Sequence, residues 1–404
     1  MPTGFDWFTS SLFVPERAQQ QVSWQLDSYI EETERYILDN CTEGVNLYLS
    51  GSLSRQEPSV LMDSNGQFRL HSDVDLVAVT SGELPASHPA LQLTSHLTSR
   101  FPEVDVTVLF VEEQDLHQVG SFYGRDLWIG LGHPIAQTFE IVIPRPPSIG
   151  TRQKLEVLVH QLGACLLYRE LNESGERGYL IRESLSTHFV KLALESLRCL
   201  LPSPPYGPIR YSDTYVNRNH TSIRSVMKGS DVGRLVMHRE YHTSHVEFGI
   251  DVYQCVIESL VMLLGTEERP GSQIGLVSRI EEIASRKTDL MNLFQFGLVL
   301  LLLATRSTSS SVRRRSAHFL FDVLHRLDGI DRSTCTPIGQ LVRGATPDEL
   351  AKREPHAIAC SKAALLAVRT DYYGALKEHN NGRTINPQYI PLQSSSIEGT
   401  GSPW

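Results

Sequence analysis

The stretch Leu47 to Val79, LYLSGSLSRQEPSVLMDSNGQFRLHSDVDLVAV, decides the fold. The apolar run Val45 to Ser50 ends on small residues and reads as a strand running into a turn at Gly51-Ser52. Ser59 to Leu70 has two short apolar arms around Asn65-Gly66, the commonest signal for a tight hairpin turn. Val74 to Thr80 is a second buried strand, opened by Asp73-Val74-Asp75. Side chains alternate between the two faces of a strand, so Asp73 and Asp75 point the same way while Val74 points into the core. Two carboxylates converging on one spot are unfavourable without a cation, and an oxygen-preferring divalent metal is the usual reason for the pattern.

Working outward, Ser23 to Leu38 places Trp24, Leu26, Tyr29, Ile30 and Tyr36 to Leu38 near helical spacing among acidic residues, an amphipathic helix. Ala90 to Arg100 has the length of a short helix, and Val104 to Val111 is another buried strand. Asp105, near the start of that strand, supplies a third carboxylate. Thr138 to Ile143 predicts a further strand, closed by the prolines of Pro144 to Pro147. Three carboxylates can hold two Mg²⁺ ions close together, which suits in-line attack on a phosphoryl centre. Gly51 lets the backbone approach phosphate oxygens and Ser52 can donate to them.

These residues resemble the DNA polymerase β-like nucleotidyltransferase superfamily, in the wording of its bacterial small-molecule and protein nucleotidyltransferase branches. The resemblance rests on Gly51-Ser52-Leu53-Ser54-Arg55-Gln56-Glu57, on Ser72-Asp73-Val74-Asp75-Leu76 and on the distant Asp105, and covers about residues 45 to 110. It implies a mixed sheet flanked by helices, a nucleoside triphosphate donor, and two Mg²⁺ or Mn²⁺ ions held by Asp73, Asp75 and Asp105. It also implies a helical domain closing the cleft, with Lys191 on the triphosphate and Tyr211 and Ser212 on the nucleotide. Arg55 is a further candidate for donor phosphate, although Arg55 and Glu57 also read as braces of the turn. The chain departs from the family in the long interval between Glu57 and Ser72, which the predicted hairpin fills; this bears on acceptor shape more than on chemistry.

Beyond the proline cluster the pattern changes to helical periodicity: Arg152 to Glu170, Ile181 to Leu201, Val252 to Leu264, Gln273 to Arg286, Leu290 to Ala304, Val312 to Leu327 and Pro347 to Leu376. The chain therefore reads as α+β: a nucleotidyltransferase domain over residues 1–147, an all-helical domain over 148–379, and a polar tail over 380–404. His238 and His242 have the i, i+4 spacing that a helix uses for zinc, but Glu240 lies two residues after the first histidine, where the zinc-protease motif needs it immediately after. With His245 they read as a histidine-rich loop or helix edge, or as part of an acceptor site. Arg306 and Arg313 to Arg315, before His318, form the densest positive cluster and read as a solvated helix start, with polyanion binding as the alternative.

Composition is that of a globular chain: 404 residues, 41% hydrophobic, 21% charged. The six cysteines, Cys41, Cys165, Cys199, Cys255, Cys335 and Cys360, are scattered and read as reduced residues of a cytoplasmic protein. No secretory signal or membrane span is expected, the longest apolar run being Phe296 to Ala304. Residues 1–150 hold 7 Arg, no Lys and 20 acidic residues, against 30 basic and 26 acidic in the rest. An acidic front half favours a small-molecule acceptor over a long nucleic acid. The expected reaction is transfer of a nucleoside monophosphate, AMP from ATP, to an acceptor hydroxyl, amine or phosphate with release of pyrophosphate. The alternatives are a nucleotidyltransferase acting on RNA or protein, and a non-catalytic nucleotide-binding protein.

Overall fold

The computed structural model describes residues 5–41, 43–118, 121–143, 149–173, 178–203, 207–242, 250–264, 272–285, 290–330 and 358–365. Helix α1 (Glu16–Asn40) buries Ala18, Val22, Leu26, Tyr29, Ile30, Thr33 and Ile37, a stripe at three- and four-residue spacing. Trp24, expected on that stripe, lies about two residues off its phase and is 74% exposed. Strand β1 (Val45–Leu49) is wholly buried and runs into the single helical turn α2 (Gly51–Ser54). The predicted hairpin follows as β2 (Val60–Met62) and β3 (Phe68–Leu70). Its loop is held by Asp63, whose Oδ1 accepts from the N–H groups of Asn65 and Gln67 at 2.8 and 2.9 Å. Gly66, at φ 77°, takes the left-handed position that the turn requires.

Strand β4 (Val74–Thr80) comes next, then a 3₁₀ turn (Pro89–Gln92) leading into α3 (Leu93–Arg100), and β5 (Val106–Glu112). A second 3₁₀ turn (Glu113–Gln118) precedes α4 (Ser121–Gly130) and β6 (Pro134–Ala136). The main sheet has the order β5-β4-β1-β6, with β4 and β5 parallel and the other pairs antiparallel. Alternation divides its side chains between two faces. Leu47, Leu49, Leu76 and Ala78 pack with the buried stripe of α1, whereas Tyr48, Val77 and Val79 pack with Leu127 and Leu131 around α4.

The strand expected at Thr138 to Ile143 is absent. The edge strand is β6 instead, because buried Asn46 closes the ladder with its side chain: Oδ1 accepts from the N–H groups of Thr138 and Phe139 at 2.7 and 3.1 Å, and Nδ2 donates to the Phe139 carbonyl at 2.8 Å. Val142 is consequently 83% exposed.

From Thr151 onward the described residues are almost entirely helical: α5 (Thr151–Glu173), α6 (Gly178–Arg198), α7 (Tyr211–Val216), α8 (Thr221–Val226), α9 (Gly229–Glu240), α10 (Val252–Leu264), α11 (Gln273–Ser285), α12 (Leu290–Arg306) and α13 (Ser310–Ile330). The exception is β7 (Tyr241–His242), which pairs parallel to β2 and makes a small sheet of order β3-β2-β7. Helix α12 is the centre of the helical core: Phe296, Val299, Leu300 and Leu303 are fully buried. That is why its sequence is apolar on every side. Among the described residues no helix is long and apolar enough to cross a membrane. Of the segment Pro347 to Leu376 only residues 358–365 are described, as helix. The proline cluster Pro144 to Pro147, Cys335, His245 and the tail 380–404 lie outside the described residues.

Replacing Asn46 by Ala removes three hydrogen bonds and leaves two partly buried amide groups unsatisfied. Asn46→Ala is expected to cost about 1–3 kcal/mol, read as a lower urea midpoint with an unchanged slope.

Candidate functional site

The site is built where β1 ends and β4 begins. The ladder between them continues one step past β1, the Ser50 N–H donating to the Asp75 carbonyl at 2.8 Å. The chain then turns sharply at Gly51, at φ 58°, and a Cβ there would lie 2.2 Å from Asp75 Oδ2. Left-handed backbone and lack of space both demand glycine. Ser52 follows in the same turn, its carbonyl accepting from the Glu57 N–H at 3.0 Å.

Asp73 and Asp75 lie together. The Asp73 side chain is 52% exposed, while Asp75 is largely buried and forms no hydrogen bond through its carboxylate among the described residues. Burial, and then the Asp73 charge, push the Asp75 carboxyl up to about 6. Lys191 reaches the same place from α6, its Nζ 3.9 Å from Asp73 Oδ2. Asp105 immediately precedes β5 and its carbonyl accepts from the Val74 N–H at 2.8 Å. Since Val74 pairs with Val106, Asp105 neighbours Asp73 in strand order, with its side chain exposed. Among the described residues no three His, Cys, Asp or Glu side chains are gathered closely enough to hold a metal ion. Asp73 and Asp75 as a pair nevertheless fit one, because Mg²⁺ commonly takes one or two carboxylates and completes its shell with water and substrate phosphate.

Arg55, Tyr211 and Ser212 stand elsewhere than expected for nucleotide contacts. The Arg55 guanidinium bonds Asp126 of α4 through Nη1 and Glu57 through Nε, the latter at 3.3 Å. Burial works against its charge, but Asp126, Tyr211 and Glu57 hold its pKa above the usual range. Glu57 accepts from the N–H groups of Tyr211 and Ser212 at 3.1 and 2.9 Å and from Ser212 Oγ at 2.8 Å. Burial alone would raise the Glu57 carboxyl; Arg55 and the Ser212 N–H keep it below the ordinary value. The Tyr211 hydroxyl donates to Glu195 at 2.6 Å, and its ring lies within about 5 Å of the Arg55, Arg198 and Arg239 guanidinium carbons. All three candidate side chains are buried and hydrogen-bonded in a junction between the strand-bearing and helical parts, rather than open to a ligand. Gln56, at φ 61°, is the non-glycine residue of the described chain in the left-handed region, and it sits between the two braces.

Asp126, Glu195, Arg198 and Arg239 were not singled out in the sequence. A charged pair inside the apolar run of α6, Glu195 and Arg198 at i, i+3, was the one available signal. His238 and His242 do not share a helix, because α9 ends at Glu240. Their rings lie 4.8 Å apart, and His242 stacks on His71 at 4.7 Å. The arginines are dispersed: Arg313 donates to the carbonyls of Ser307 and Thr308, Arg315 pairs with Glu281, and Arg306 lies over the Tyr253 ring. Comparison with known proteins returns no match among family models, curated proteins or solved structures.

Two outcomes follow from this electrostatic layout. A carboxyl whose pKa is raised by the fold loses stability as pH rises toward that value, since the folded state holds its proton longer than the unfolded chain. Asp75→Asn should therefore stabilise the metal-free protein at pH 7.5, by on the order of 1–3 kcal/mol. The gain should vanish as pH falls to about 4, which urea unfolding at the two pH values will measure. Glu57→Ala leaves Arg55 short of a partner and two buried N–H groups unsatisfied; it should cost about 3–5 kcal/mol, read in the same assay.

Proposed function

We propose that this protein is a metal-dependent nucleotidyltransferase that moves a nucleoside monophosphate, AMP from ATP, onto a small-molecule acceptor and releases pyrophosphate. The observation that carries the reading is the paired carboxylates of Asp73 and Asp75, set against the forced glycine turn at Gly51 and faced by Lys191 from the helical part. A scaffold has no physical need for a partly buried carboxylate whose charge the fold disfavours; a cation-binding site does.

Asp73 and Asp75 would hold the divalent cations, Mg²⁺ or Mn²⁺, with Asp105 as the candidate third ligand. The cations supply Lewis-acid neutralisation of charge on the phosphoryl group. The N–H groups and hydroxyl of the Gly51-Ser52 turn bind donor phosphate, and the absence of a Cβ at Gly51 lets them approach. Lys191 balances the triphosphate from across the cleft and orients it. Asp105, exposed beside Asp73, takes the proton as the acceptor oxygen or nitrogen attacks the α-phosphorus and the bond to pyrophosphate breaks. Arg55, Tyr211 and Ser212 act at a distance, by fixing the turn against α6 and α7.

The acidic front part supports a small acceptor, since a long polyanion would meet repulsion. The cysteines described, Cys41, Cys165, Cys199, Cys255 and Cys360, are free thiols, in keeping with a cytoplasmic setting.

The test incubates the protein with Mg²⁺, each labelled ribonucleoside triphosphate and a cell extract as acceptor source. Metal-dependent pyrophosphate release with label on a new species is expected, lost in Asp73→Asn/Asp75→Asn. Lys191→Ala should raise the KM for ATP about tenfold, as loss of one charge-assisted contact does. Absence of turnover with every triphosphate would overturn the reading.

A further inference from the structure

The hairpin β2–β3 and strand β7 carry a group of side chains for which the donor reaction has no use. Leu61 is opposite Arg69 on one side and His242 on the other, so Arg69, Leu61 and His242 form one row across the small sheet and share a face. The opposite face, with Val60 and Phe68, is packed into the core. His71 lies two residues beyond Arg69, its N–H donating to the Ser59 carbonyl at 2.8 Å, which extends the sheet by one pair. Alternation puts it on the Arg69 face, and its ring stacks on His242. One imidazole thus comes from the strand-bearing part and the other from the helical part.

Three features make this face a binding surface. It adjoins the carboxylate pair, His71 being two residues before Asp73 and within electrostatic reach of both Asp73 and Lys191. Arg69 is exposed and forms no ion pair or hydrogen bond among the described residues. Arg55, by contrast, is locked by Asp126 and Glu57. The His71 imidazole likewise has no hydrogen bond among the described residues, although it is partly buried.

We propose that this face seats the acceptor, and that the acceptor carries an oxyanion group, carboxylate or phosphate, bound by the Arg69 guanidinium with His71 as a flanking donor and His242 stacked behind it. The assignment of this ligand as the acceptor rests on the nucleotidyltransferase reading; the oxyanion site itself does not. A planar guanidinium matches either oxyanion in a two-pronged contact, and an imidazole N–H group adds to it. Asp73, an acid within electrostatic reach of His71, is the group that metal binding would neutralise, so the site favours its anion most when the neighbouring carboxylates are occupied.

The experiment titrates the metal-free full chain, labelled with ¹³C in its histidine rings, with inorganic phosphate and separately with acetate at constant ionic strength. The signals of His71 and His242 are assigned from His71→Gln and His242→Gln. Saturable shifts of both rings are expected with at least one anion, the responsive anion naming the group. Arg69→Ala should weaken that binding about tenfold or more, the worth of a charge-assisted contact. Lys191→Ala, which removes a more distant charge, should weaken it far less than Arg69→Ala does, which separates this site from one for donor phosphates. Absent shifts, shifts unchanged in Arg69→Ala, or shifts lost in Lys191→Ala would each overturn the proposal. Binding of Mn²⁺ and ATP, compared between the wild type and Asp73→Asn/Asp75→Asn, tests the donor reading separately.

Discussion

A single buried carboxylate, Glu57, connects the part of the chain that carries the aspartates to the part that carries the lysine. It receives three hydrogen bonds from the start of α7 and an ion pair from Arg55. Around it lie three buried guanidinium groups, Arg55, Arg198 and Arg239, and two further carboxylates, Asp126 and Glu195. Such a network is not a strong source of stability, because desolvation consumes much of the Coulombic gain, but it is costly to break in any one member. It therefore selects one arrangement of the two parts over others that would bury similar apolar area.

The geometry of the candidate site depends on that selection. The Gly51–Ser54 turn runs directly into Arg55 and Glu57, so its orientation is tied to the junction. On the other side, α6 carries both Glu195, which receives the Tyr211 hydroxyl, and Lys191, one turn earlier on the same face. Locking Glu195 places Lys191 opposite Asp73, about 6 Å along the helix axis from the junction. The left-handed Gln56 sits at the centre of this arrangement, where strain is tolerated because the residues on both sides are held.

A second connection runs through the small sheet. Its strands come from positions far apart in the chain, and the pairing of β2 with β7 brings His71 and His242 together. The amino-terminal segment adds a third link: Glu240, at the end of α9, accepts from the N–H groups of Leu12 and Phe13 at 2.8 and 2.7 Å, and the Phe13 ring meets Tyr215 edge-on at 5.1 Å. Burial pushes the Glu240 carboxyl up to about 7. The two parts are thus held together by contacts that close long loops, whose entropy must be offset before any of them stabilises.

What the sequence by itself determined was local and periodic. Strand β4, helix α10, the hairpin and the interruption of the chain by long helices were all legible because alternation, helical spacing and turn chemistry act over a few residues. The carboxylate pair was legible for the same reason, two aspartates two residues apart on a strand. Only the tertiary structure decided that the edge strand is β6 and not Thr138 to Ile143, since Asn46 intercepts the backbone there through its side chain. It also decided that Arg55, Tyr211 and Ser212 belong to a junction, and that His71 meets His242. Each of these outcomes depends on charge balance, burial or pairing between residues separated by 71 to 171 positions. Such interactions leave no spacing in the sequence, because their partners are chosen by the packed interior and not by the chain's local geometry.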